Sequence, residues 1–143
     1  MTIRVANYAF NAESWYEDAF TGDRTLPLML NAVAIGDFAF VTAPYEMFHE
    51  NGEMIKDFVY ENDLFKLTFI ITNSNGANKY IASYLAFEND ETDGKLTSFG
   101  VRSTRFNKGI AEALVTCHAQ LLAQLSGKGI AAPDFLEEAK NAK

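Results

Sequence analysis

Few positions in this chain carry side chains suited to metal binding or catalysis, and the most informative of them is Glu46. It closes the stretch Ile35-Gly36-Asp37-Phe38-Ala39-Phe40-Val41-Thr42-Ala43-Pro44-Tyr45-Glu46, which reads as a strand, a proline stop and a carboxylate where a helix begins. A helix start carries free N–H groups and a partial positive charge, so it favours the ionised carboxylate that a metal requires. The plainer role is that Glu46 simply satisfies the helix start. His49 follows at the Glu-x-x-His spacing, one turn on and on the same helical face, as in carboxylate-bridged metal bundles. Such sites use a second similar pair and this chain has none, so His49 is expected to face water. Tyr80 leaves the Asn73–Asn78 segment, and a phenol at a loop exit can approach a pocket or can be an ordinary aromatic with a polar tip. His118 adjoins the apolar stripe of a later helix and reads as a surface or half-buried structural histidine. Cys117 lies within that stripe and reads as a small core residue rather than a nucleophile. Backbone N–H groups of the Asn73–Asn78 segment can cradle an anion, although a simple turn explains the composition equally well. The sequence holds no Gly-x-Ser-x-Gly elbow, Walker loop or dinucleotide-binding glycine loop.

These residues depend on the elements around them. Leu26 to Ile35 is apolar on both faces and predicts a strand buried on both sides. Gly36-Asp37 marks a turn into a second strand over Phe38–Ala43, which gives a β-hairpin that Pro44 ends. A helix is expected from near Glu46, with Phe48, Gly52, Ile55 and Val59 on one face. Gly52 weakens that helix, so it is expected where another backbone comes close. Leu64 to Thr72 predicts a strand, Asn73–Asn78 a loop, and Tyr80 to Phe87 an apolar stretch that is read as a strand. An acidic turn at 88–94 precedes a short strand over Leu96–Arg102. Asn107 is expected to cap the last long helix, with Ile110, Leu114, Cys117, Leu121 and Leu125 as its buried stripe and Gly127 and Gly129 at its end. A short helix with Phe135 and Leu136 follows Pro133. The order strand-strand-helix-strand-strand-strand-helix predicts an α+β fold: a mixed, mainly antiparallel sheet covered by two main helices. Residues 1–25 are mixed and polar and read as an arm or the remnant of a longer chain, and residues 26–143 as one domain.

At 143 residues with 48% apolar side chains and twelve Phe, one core is attainable. The formal charge of −7 excludes a duplex nucleic-acid binder, which needs a basic face to displace counterions. No apolar run is long enough to span a bilayer, and the first ten residues lack the apolar stretch of a signal peptide. A single cysteine precludes an internal disulfide and fits a reducing compartment without specifying one.

The pieces Ile35-Gly36-Asp37, Pro44-x-Glu46, Asn75-Gly76, Tyr80-Ile81 and Ser103-Thr104, in that order over roughly residues 28–125, resemble the C-terminal part of the neutral/alkaline non-lysosomal ceramidase catalytic domain. Those enzymes are zinc amidases that hydrolyse the amide of N-acyl-sphingosine in sphingolipid metabolism. The resemblance implies that Glu46 and Tyr80 are zinc ligands, and that Asn75, Gly76 and Ile81 shape a substrate wall. It also implies two zinc-binding histidines upstream, in a part of the domain that this sequence does not contain. The family's Tyr-Glu pair ahead of Ser103-Thr104 is replaced by Phe99-Gly100. The expectation is a partial amidase domain, inactive as an isolated chain, whose partner is an upstream half or a homo-oligomer and whose complete form takes an N-acyl lipid or other amide. The alternative is a non-catalytic α+β module for binding or self-association.

Overall fold

The computed structural model describes residues 2–5, 26–76, 79–92, 95–96, 98–104 and 106–142. They form an α+β fold with strands β1 (Thr2–Val5), β2 (Leu26–Met29), β3 (Asn31–Ile35), β4 (Phe38–Ala43), β5 (Glu46–Met47), β6 (Leu67–Thr72), β7 (Tyr80–Ile81), β8 (Glu91–Thr92) and β9 (Lys95–Leu96). The helices are α1 (His49–Glu61), α2 (Tyr84–Asp90), α3 (Phe99–Arg102), α4 (Ile110–Ser126) and α5 (Phe135–Asn141).

The central sheet has the order β3-β4-β6, with β3 antiparallel and β6 parallel to β4. The β3–β4 hairpin closes on Gly36-Asp37, and Gly36 has φ +59°, a conformation glycine adopts without a Cβ penalty. A parallel partner for β4 requires a crossover, and α1 supplies it. Side chains alternate along the strands. Ala39 and Val41 therefore face α1, α4 and α5, where they pack with Ile55, Phe58, Val59, Val115, Ala119, Leu122 and Phe135. A second core joins Leu28, Leu30, Ala43, Tyr45, Ile81, Phe106, Ala111 and Leu114. Burial pushes the Tyr45 phenol far above its ordinary range, so this core holds it neutral.

Several boundaries differ from the sequence reading. The first predicted strand is broken at the buried Leu30 into β2 and β3; β2 pairs with β1, so part of the supposed arm joins a sheet. Residues 6–25, with Tyr8, Phe10, Trp15, Tyr16 and Phe20, lie outside the described residues. The stretch from Tyr80 is a two-residue strand followed by α2, because Ser83 accepts the Ala86 N–H and starts a helix. The region read as a strand over Leu96–Arg102 ends in α3. Asn107 caps nothing with its side chain; Gly109 stands at the start of α4, and its positive φ turns the chain there. Gly127, also at positive φ, ends that helix as expected. The buried stripe of α4 is rotated from the expected one. Ala111, Glu112, Leu114, Val115, His118, Ala119, Leu122 and Ala123 are buried, while Leu125 is exposed. Gly52 is not demanded by a close backbone, since a Cβ there would meet the Ile70 Cδ1 at an ordinary 3.4 Å.

Candidate functional site

Glu46 is not on a helix. Pro44 and Tyr45 interrupt β4, and the chain then resumes as β5, which pairs in parallel with β7. The same interruption occurs after β6, where the Asn73 and Ser74 N–H groups donate to the Tyr45 and Ala43 carbonyls. The two broken strand ends stay together, and Glu46 N–H donates to the Lys79 carbonyl at 3.0 Å. Register then places Glu46 opposite Tyr80 and Met47 opposite Ile81. Alternation sends Tyr45 and Ile81 into the core and leaves Glu46 and Tyr80 half-buried beside one another.

The neighbouring Glu46 carboxylate raises the Tyr80 pKa above the ordinary phenol value, first through its acceptor interaction with the phenol and then through its negative charge. Two oxygen donors from opposite ends of the α1 crossover thus meet at the carboxyl ends of the parallel strands, where open α/β sheets place ligands. The loop between them is bent at Asn73, Asn75 and Lys79, all non-glycine residues at positive φ. Backbone in such sparsely populated regions clusters at functional sites.

Aromatic rings frame the pair. Phe48 and Phe99 each meet the Tyr80 ring edge-on at 5.9 Å. Gly100 lies under Phe48, so close that a Cβ would come within 2.7 Å of the Phe48 Cζ. The missing side chain of Gly100 therefore makes room for this ring.

The β7–α2 segment is held from both sides by buried polar groups. Asn51 of α1 donates through Nδ2 to the Ile81 carbonyl at 3.4 Å. Glu112 of α4 accepts the Tyr84 N–H through Oε1 at 2.6 Å, while its Oε2 has no protein partner. Burial raises the Glu112 pKa, and the hydrogen bonds it accepts only partly offset that.

The structure brings together Glu46 and Tyr80 among the residues singled out from sequence. Asn75 and Gly76 are exposed on the adjoining loop, whereas Ile81 is a core residue with 1% exposure and presents no surface to a substrate. His49 shares no helical face with Glu46, because Glu46 lies on β5. Its side chain is 79% exposed and its Nδ1 lies 3.2 Å from the Glu50 carboxylate. His118, expected at or near the surface, is fully buried. Its Nδ1 lies 2.8 Å from the Leu114 carbonyl and its Nε2 3.1 Å from the Thr42 carbonyl. Cys117 is half-buried, and burial pushes its thiol up, away from the reactive thiolate. Sequence reasoning gave no site role to Phe48, Phe99, Asn51 or Glu112. For Glu112 a signal existed: it precedes Val115, Ala119 and Leu122 at helical spacing, which puts a carboxyl on the buried side.

Tetrahedral zinc takes four donors, and an open catalytic site still needs three from protein. Glu46 and Tyr80, at facing register positions, offer two oxygen-bearing side chains. Among the described residues no group of three or more His, Cys, Asp or Glu side chains is gathered to hold a metal. No protein-family model matches the chain, and no curated protein or solved structure matches it. No helix among the described residues is long and apolar enough to cross a membrane.

Proposed function

We propose that this chain is the C-terminal part of a ceramidase-type zinc amidase domain that supplies two of the metal donors, Glu46 and Tyr80. The observation that carries this reading is the register of β5 on β7, which sets a carboxylate and a phenol side by side at the strand ends. Two histidines from an upstream half would complete the cage. When bound, zinc would polarise the scissile amide carbonyl and make a bound water nucleophilic at neutral pH. The role of this chain is to hold two anionic-capable oxygens in place: Asn51 and Glu112 anchor the backbone after Tyr80, and Phe48 and Phe99 fix its ring. The substrate class is an N-acyl lipid or other amide, met by the Asn75-Gly76 loop. The isolated chain is inactive on this reading.

The test is calorimetric titration of Zn²⁺ into the purified chain, without and with excess free imidazole in place of the missing histidines. Imidazole is expected to tighten binding, and Glu46→Gln and Tyr80→Phe are each expected to weaken it by roughly 10-fold or more. Zinc affinity that ignores both substitutions would defeat the proposal. A second reading, a non-catalytic module for binding or self-association, draws on a different feature: an apolar sheet face on the side away from the helices.

A further inference from the structure

The three central strands, Asn31–Ile35, Phe38–Ala43 and Leu67–Thr72, contain not one charged side chain. Their inner face is covered by the helices, whereas apolar residues on the other face are exposed. Val33, Ile35, Phe38, Leu67, Phe69 and Ile71 all project from it and are 45–66% exposed, and Met29 of the preceding strand is also exposed. Phe40 and Phe69, paired across β4 and β6, stack at 5.2 Å in the middle of this face. Solvent-facing sheet surfaces ordinarily alternate to polar residues, and exposed strands are guarded by charge. This face has neither feature.

We infer that this sheet face is the interface of a two-fold homodimer, in which two copies pack face to face as the layers of a β-sandwich. Three observations favour a second copy as the occupant. The exposed surface of these residues, Met29 included, amounts to roughly 650 Å², at the upper limit of the largest apolar patch on a typical monomer and approaching the 800 Å² that each partner of a standard stable interface buries. Apart from Asn31 and Thr42, which hydrogen-bond each other at one end, the face is apolar across its three strands, so a two-fold axis through it sets apolar columns against apolar columns and needs no complementary surface elsewhere. The chain carries a net charge of −7, and two such chains repel except where no acid is presented; the three strands provide that area. Sheets packed in this way lie about 10 Å apart with their strands nearly aligned. The inference stands apart from the zinc reading, because it uses none of the residues around Glu46 and Tyr80.

The test is sedimentation velocity and light scattering on the full chain at about 50 µM, a concentration at which about nine-tenths of the chains are in a dimer of micromolar dissociation constant. The expected mass is twice 15.9 kDa. Phe69→Lys and Ile35→Glu, each at an exposed position, are expected to raise the dimer dissociation constant roughly 30-fold or more while leaving the far-ultraviolet circular dichroism unchanged. Leu125→Glu, on an exposed part of α4, is the control and is expected to leave the dimer intact. If one face variant loses its helical signal, the other decides. A monomeric wild-type chain, a polydisperse aggregate, or a dimer that survives a folded face variant would each overturn the inference.

Discussion

Glu112 shows how one side chain serves two demands that conflict. Its Oε1 accepts the first free N–H of α2, which stabilises the turn after Tyr80, yet burial leaves its second oxygen without a protein partner. A carboxyl whose pKa is raised by folding contributes stability that is complete below the unfolded pKa of about 4.3 and is lost as pH rises through the folded value. Glu112→Gln keeps an acceptor for Tyr84 and removes the ionisation. The variant is therefore expected to lose less stability than wild type between pH 5 and pH 8. Urea unfolding at both pH values measures this, and an unchanged pH dependence would show that Glu112 does not titrate in that range. Tyr80 differs in its cause: it stands half-buried opposite Glu46, and that neighbouring carboxylate rather than burial is the main reason its pKa is raised.

At the scale of elements, the short pieces carry the site and the long ones carry the fold. β5 and β7 have two residues each, too few to be stable alone, and they persist because the β4–β6 ladder beneath them fixes their relative height. α1 starts at His49 with Phe48 at its cap position and no side-chain cap, so it depends on burying Ile55, Phe58 and Val59. α5 is the reverse case. It is seven residues long, its Asp134 accepts the Leu136 and Glu137 N–H groups, and it docks through Phe135 edge-on to Phe58. Asp134→Ala is expected to cost about 1 kcal/mol, within the usual range of cap removal, and to show first as faster amide exchange in α5. Equal protection of α5 in both proteins would mean that packing alone holds it.

For the whole molecule, His118 links the long helix to the central strand. Both ring nitrogens face carbonyls, of Leu114 and Thr42, and a neutral imidazole has one proton to give. Protonation would satisfy both contacts, but burial dominates and pushes the His118 pKa below its ordinary value. The unfolded chain then binds the proton first. This group's stability is present above the unfolded pKa of about 6.5 and is lost as pH falls below it, at most about 1.4 kcal/mol per pH unit. His118→Gln is expected to flatten that acid limb between pH 7.5 and 5.5 in denaturant titrations, at the cost of a lower plateau. An identical slope in both proteins would place the acid sensitivity elsewhere.

The α+β class, the β3–β4 hairpin at Gly36-Asp37, the strand before Asn73 and the helix ending at Gly127 were all legible along the chain, because each rests on local periodicity or turn chemistry. Glu46 and Tyr80 were singled out by short motifs that lie far apart in the chain. What no local pattern encodes is their pairing. It arises because α1 returns the chain parallel to β4 and both strands break at the same height, a relation between residues distant in sequence. The same reason explains the misplaced helix start at Glu46. A carboxylate after a proline suits a helix N-terminus locally, but the hydrogen bond from its N–H to the Lys79 carbonyl holds it in a strand. Burial of His118 and exposure of Phe69 follow likewise from which face of each element the neighbouring layer covers. Sequence periodicity shows that an element has an apolar side, whereas only packed neighbours set whether that side is sealed from water or left facing it.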